Sequence, residues 1–145
     1  SGKVVCAVGV LEYRATIPFV IRDGDRVLEI GCQAGLTAKL IKQSTSGRVV
    51  GSDVAPQSIE HAKRQGAGHD VEWAVLDGWD LHGIQALGPW DVIYMDISGI
   101  SGRNCVQDGL ALIFSYFRLL PELRTVVVKS RSLRDVSNRF VKLGQ

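Results

Sequence analysis

Three cysteines, Cys6, Cys32 and Cys105, are too few and too scattered for a disulfide framework, and no CxxC pair is present to begin a zinc site. His61, His69 and His82 have no ligand spacing either and read as exposed helix or loop positions, so no metal is expected. No apolar run approaches the roughly 18 residues that a membrane-crossing helix needs. The longest, Val4 to Leu11, is interrupted by Gly9, and the first residues lack a signal-peptide layout. The expectation is an intracellular protein, cytoplasmic or nuclear, with no membrane contact. Repeats, low-complexity tracts and linkers are also missing, and 145 residues suit one domain spanning 1–145. Hydrophobic residues at 46% and charged residues at 22% argue against disorder and coiled coil.

A large net charge is lacking too, at +2 overall, but the charge is uneven. From Arg118 onward, seven bases (Arg118, Arg124, Lys129, Arg131, Arg134, Arg139, Lys142) face only Glu122 and Asp135, a local excess of +5 that leaves −3 for the rest. Such a segment permits an anionic partner, though a charge run is most often a solvated face.

What is present is alternation. Val27–Ile30, Arg48–Asp53, Val71–Leu76, Asp91–Ile97 and Thr125–Lys129 are short apolar runs of the kind that form buried parallel strands. Between them lie helical spacings, the clearest being Val106, Leu110, Ile113, Phe114 and Phe117. Leu133, Val136 and Phe140 predict a last amphipathic helix, whereas Lys3 to Ile21 reads equally as strand or helix. Strand and helix in turn predict an α/β domain with right-handed crossovers.

The most informative segment is Val27-Leu28-Glu29-Ile30-Gly31-Cys32-Gln33-Ala34-Gly35-Leu36-Thr37, a strand entering a small-residue loop and then a helix. Ligands of open α/β sheets bind beyond the carboxyl ends of the strands, where strand order reverses. Gly31 and Gly35 would let backbone approach a ligand, and Asp53, 22 positions after Gly31, would present a carboxylate to both hydroxyls of a ribose. A nicotinamide fingerprint fails, because G-x-G-x-x-G would need glycine at Gln33 and Leu36.

Glu29-Ile30-Gly31-Cys32-Gln33-Ala34-Gly35 resembles the first motif of the class I S-adenosylmethionine-dependent methyltransferases, with Gln33 where a further glycine is common. The resemblance extends over roughly residues 24 to 130 in motif order. It implies S-adenosyl-L-methionine as cofactor and a Rossmann-like doubly wound sheet with strand order 3-2-1-4-5. It also implies that the Gly31–Gly35 loop, Cys32 and Gln33 included, lies against the methionine part, with Glu29 orienting the amino group directly or through water. Asp53 matches the ribose-binding acid, and Asp77, in Leu76-Asp77-Gly78-Trp79, the acid that bonds the adenine amino group. Val54 and Trp79 are then adenine contacts, whereas Trp73 packs against a helix.

The fourth strand ends in Asp96 and the fifth in Lys129. These match an aspartate and a lysine that RNA ribose 2′-O-methyltransferases of the fibrillarin and FtsJ kinds place there, which implies Asp96 and Lys129 as catalytic residues, Asp96 also bordering the cofactor. Arg14 is the nearest candidate for those enzymes' N-terminal lysine, and their later glutamate or histidine has no match. RNA is thus one expected substrate; a protein or small-molecule acceptor, or a catalytically silent binding subunit, are the alternatives. The chain stops before the final antiparallel hairpin that usually completes such a sheet, so the reading expects a shortened or truncated member whose open edge a protein partner could complete.

Overall fold

The computed structural model describes residues 2–66, 69–97 and 106–140. Cys105, singled out above, and Lys142 lie outside them. The chain runs β1 (Lys3–Ala7), α1 (Val10–Ala15), α2 (Ile17–Val20), β2 (Val27–Ile30), α3 (Leu36–Lys42), β3 (Val49–Asp53) and α4 (Pro56–Gln65). It continues through β4 (Glu72–Val75), α5 (Leu81–Leu87), β5 (Val92–Met95), α6 (Val106–Leu119), β6 (Thr125–Lys129) and α7 (Arg131–Ser137).

Every strand pairing is parallel, and the six-stranded sheet has the order β1-β6-β5-β2-β3-β4. The expected five-strand order survives as β4-β3-β2-β5-β6, but it is incomplete. The ambiguous N-terminal run supplies a sixth strand, with Lys3 to Ala7 in register with Thr125 to Lys129. The position beyond the fifth predicted strand is therefore filled by β1 and not left open, and the outer edge on this side is β1's own. The physical reason is in Val4-Val5-Cys6-Ala7: a β-branched run half exposed at one end and buried at the other, which suits an edge strand as well as the helix its apolar content also allowed. The third predicted run was expected to be buried, yet β4 is exposed or half-buried throughout because it forms the opposite edge.

Side-chain alternation sorts the core into two layers. Leu28, Ile30, Ile93, Met95, Val126 and Val128 face Ile84 of α5, Leu112, Ile113 and Tyr116 of α6, and Leu133 of α7. Val27, Val49, Val92, Tyr94 and Val127 face Tyr13 of α1, Ile17 of α2, and Ala38 and Ile41 of α3. Glu29 has the parity of Val27, and Lys129 that of Val127, so both belong to the α1/α3 face at its carboxyl end. Tyr13, only 1% exposed, meets Tyr94 edge-on with ring centroids 5.1 Å apart.

No helix among the described residues is long and apolar enough to cross a membrane. No group of three or more His, Cys, Asp or Glu among them is arranged to hold a metal ion. His61, His69 and His82 are exposed.

Candidate functional site

Strand order reverses at β2, whose neighbours are β3 on one side and β5 on the other. The backbone must diverge there, and a cleft of about 260 Å³ opens beyond the strand ends. Ile30, Gly31 and Gln33 line it at and after the end of β2, Asp53 and Val54 at and after the end of β3, Leu76, Asp77 and Gly78 after β4, and Asp96 and Ile97 after β5. Seven residues singled out in the sequence (Gly31, Gln33, Asp53, Val54, Asp77, Gly78 and Asp96) thus meet at one place. Glu29, Cys32, Gly35, Trp79 and Lys129 do not line it.

The loop is built from special backbone. Gly31 has φ 82°, and a Cβ there would run into the Asp96 carbonyl. Gly35 has φ 79°, and the Trp73 indole occupies the space a Cβ would take. Trp73 therefore packs over the start of α3, as a packing residue should. Gln33 has φ 47°, a left-handed conformation that costs a side chain more than a glycine, which explains why glycine suits this position. The Gly31 and Cys32 amides both donate to the Ser52 carbonyl at 2.8 Å, fastening the loop to β3.

Asp53 is 8% exposed and holds the loop as well: Oδ2 accepts the Gln33 amide and Oδ1 the Ala55 amide, each at 3.0 Å. A carboxylate has about four acceptor sites, so both oxygens keep capacity toward the cleft. Asp77 is exposed and its Oδ1 accepts the Trp79 amide at 3.0 Å, an Asx turn that aims the loop after β4. Sequence reasoning missed the pin beneath it, the buried Tyr116 hydroxyl that donates to the Gly78 carbonyl at 2.6 Å. Val54 is 65% exposed and Trp79 49%. Cys32 is buried, and desolvation pushes its thiol well up, with the charges of Glu29 and Asp53 adding to the shift, so it is no nucleophile.

Glu29 sits behind the cleft, 2% exposed. Gly35, the N-cap of α3, has no side chain to offer, and the Ala38 amide in the first turn bonds the Glu29 carboxyl instead. Among the described residues Glu29 Oε2 has no hydrogen-bond partner, and neither has the Tyr13 hydroxyl, buried on the same sheet face. Burial first, then the negative charge of Asp96, push the Glu29 pKa up to about 8, against the Ala38 amide and the Arg14 guanidinium.

At the other rim, Lys129 Nζ lies 2.8 Å from Asp96 Oδ2, with side chains 25% and 15% exposed. Parallel pairing of β5 with β6 brings the two together. Arg14 does not join them: its Nε donates to Thr37 Oγ1 at 3.0 Å, turning it toward α3. The basic segment divides. Lys129 stands beside the cleft through its ion pair with Asp96 and exposed Arg131 opens α7 just after it, but Arg134 is spent on the Cys6 carbonyl and Glu12, and Arg124 grips Asp25 at the amino-terminal ends of the strands, opposite the cleft.

Residues 27–113, more than half of the chain, match the family described as a methyltransferase domain. A ribosomal protein L11 methyltransferase of Thermotoga maritima is 31% identical over 77 residues, which are 53% of this chain and 28% of that protein. The curated relatives it matches are much longer, with 14% of their length spanned in the shortest alignments. Among solved structures, a TehB-like SAM-dependent methyltransferase from Corynebacterium glutamicum superposes with a TM-score of 0.54 at 20% identity, covering 79% of this chain and 60% of that one. Aeropyrum pernix fibrillarin with natively bound S-adenosyl-L-methionine gives 0.52 at 20% identity, covering 64% and 42%. These two likenesses speak to fold, and the family match speaks to kind. The chain belongs to the methyltransferase-domain family.

Proposed function

We propose that this domain binds S-adenosylmethionine in the cleft beyond β2 to β5 and delivers its methyl group to an acceptor held at the Asp96–Lys129 end, the acceptor being a ribose 2′-hydroxyl of RNA. The single observation that carries the acceptor site is the Lys129–Asp96 pair at 2.8 Å beside the cleft. The donor set fits the cofactor. Asp53 has acceptor capacity for the ribose hydroxyls, Asp77 and Gly78 border the adenine end, and the unpartnered Oε2 of Glu29 suits an ammonium. When bound, the cofactor supplies an electrophilic methyl group on a sulfonium.

The protein's work is then orientation and charge. A ribose hydroxyl is a poor nucleophile until it sheds its proton. Lys129, bonded to a carboxylate, is an ammonium donor, so it positions the hydroxyl oxygen and stabilises the developing alkoxide. Asp96 holds Lys129 through Oδ2 and uses Oδ1 to accept the proton. Calorimetry tests the cofactor half of the proposal. S-adenosylhomocysteine should bind the unmodified protein, and Asp53→Ala should weaken it by about 1–3 kcal/mol, the usual cost of leaving buried polar groups unpaired. Absence of binding, or tighter binding of a nicotinamide dinucleotide, refutes the assignment.

The division of the basic segment supports a second reading, an amine acceptor on a protein, for which a neutral lone pair already exists and no hydroxyl need be ionised. RNA binding separates the two. Among the described residues of the basic run, Lys129 and Arg131 follow the β6 end beside Asp96, so the slope of log K against log salt should be shallow, about −1 to −2 for two contacts to a single strand. Labelled methyl appearing in protein and not in RNA would favour the amine. A protein that binds cofactor and methylates neither would be a silent binding subunit.

A further inference from the structure

The Tyr13 hydroxyl is the feature that the cofactor loop, the ribose acid and the Asp96–Lys129 pair leave unused. Tyr13 comes from α1, a helix outside the span that resembles the methyltransferase motifs. Its ring is anchored edge-on against Tyr94, whose own hydroxyl is engaged with Thr16 Oγ1 at 2.8 Å. The Tyr13 hydroxyl has no hydrogen-bond partner among the described residues, and the residue is 1% exposed. Buried hydroxyls are rarely left so, because folding strips them of water without replacing the bond. Here two orphaned oxygens, Tyr13 Oη and Glu29 Oε2, share one buried region. Glu29 stands opposite Tyr94 in the β2–β5 register, and the Tyr13 ring packs on Tyr94, so both lie on one sheet face just before Ile30 and Gly31, which line the cleft.

We infer that Tyr13 is a positioning residue for the cofactor's amino-acid end, its hydroxyl oxygen accepting a hydrogen bond from the α-ammonium that Glu29 Oε2 also receives. Phenylalanine at this position would keep the ring and lose only that acceptor. An ammonium has three donors to place, and two acceptors that lack other partners are suited to it in a way that a carboxylate is not. The charged and titratable groups facing the region are Glu29 from β2, Arg14 from α1, Asp96 after β5, Asp53 from β3 and the Cys32 thiol. The assignment rests on the cofactor reading above and adds α1 to the residues that determine which end of the ligand is recognised.

Tyr13→Phe is tested by calorimetry against three ligands that differ only in that end. S-adenosylhomocysteine carries ammonium and carboxylate, 5′-deoxy-5′-(3-carboxypropylthio)adenosine carries the carboxylate alone, and methylthioadenosine carries neither. The expected result is about 10-fold weaker binding of S-adenosylhomocysteine, the usual worth of one hydrogen bond to a charged group, with affinity for the other two unchanged. The melting temperature without ligand should not fall, since the hydroxyl has no partner to lose. An equal loss for the deaminated ligand would place the hydroxyl on the carboxylate and overturn the assignment. So would unchanged binding of all three, or a lowered melting temperature without ligand. If the unmodified protein binds none of the three, it is the cofactor reading that fails.

Discussion

Lys129→Ala and Asp96→Ala are each expected to lower methyl transfer by at least about 100-fold, the scale seen when one preorganised stabilising group is removed from a reacting centre, while S-adenosylhomocysteine affinity stays within about threefold. Asp96 lines the cleft after β5 and holds Lys129 at the end of β6, whereas Asp53 and Asp77 come from the β3 and β4 ends, so on the proposed function the pair acts on the acceptor and only marginally on the cofactor. An interaction made mainly in the transition state lowers kcat and kcat/KM together. Because Asp96 holds Lys129, the pair should behave as a unit, and the double variant should be little worse than either single one. Lys129→Arg offers a control: it keeps the charge but replaces a compact donor with a planar fork, and should restore binding of RNA better than turnover. Single-turnover transfer with excess protein measures the effect. Near-normal transfer by Lys129→Ala would remove the ribose assignment and leave the cofactor site standing.

The legible part of the site was its floor. Gly31, Asp53, Asp77 and Asp96 each follow a strand that announces itself by an apolar run, and parallel strands in a doubly wound order put all such positions at one edge. The illegible part was everything contributed by chain far away in sequence. Lys3 to Ala7 could not be recognised as a strand because an edge strand buries only part of itself, and its partner, β6, is more than a hundred residues later. With β1 unplaced, α1 had no position, and Tyr13 and Arg14 could not be seen beside Glu29. The basic excess after Arg118 was visible as composition, but its division was not. Arg124 and Arg134 are fixed by Asp25 and Glu12, acids from the first 25 residues, and no spacing within the segment signals those pairings. Glu29 itself was legible as an acid at a motif position, and its second task, bonding the Ala38 amide of an uncapped helix, follows only from the fold.

That second task gives Glu29 an expected effect on stability without any ligand. Its carboxyl is pushed up to about 8 in the folded protein, by burial first and the charge of Asp96 next, against an ordinary value of 4.5. The folded state therefore keeps a proton that the unfolded chain gives up. Stability from this group is fully present below pH 4.5 and declines as pH rises, until the folded carboxyl itself ionises near pH 8. Glu29→Gln removes the titration but keeps an oxygen for the Ala38 amide. Whatever fixed cost the new amide group carries is the same at every pH. The stability of Glu29→Gln relative to the unmodified protein should therefore rise by about 3 kcal/mol between pH 5 and pH 8, following from about 1.4 kcal/mol per pK unit. Urea unfolding of the ligand-free proteins at pH 5, 6, 7 and 8 measures it. Parallel stability profiles would mean that the carboxyl is already ionised in the fold, stabilised by Arg14 and the Ala38 amide. The buried region around Glu29 Oε2 would then carry a negative charge before any ammonium arrives.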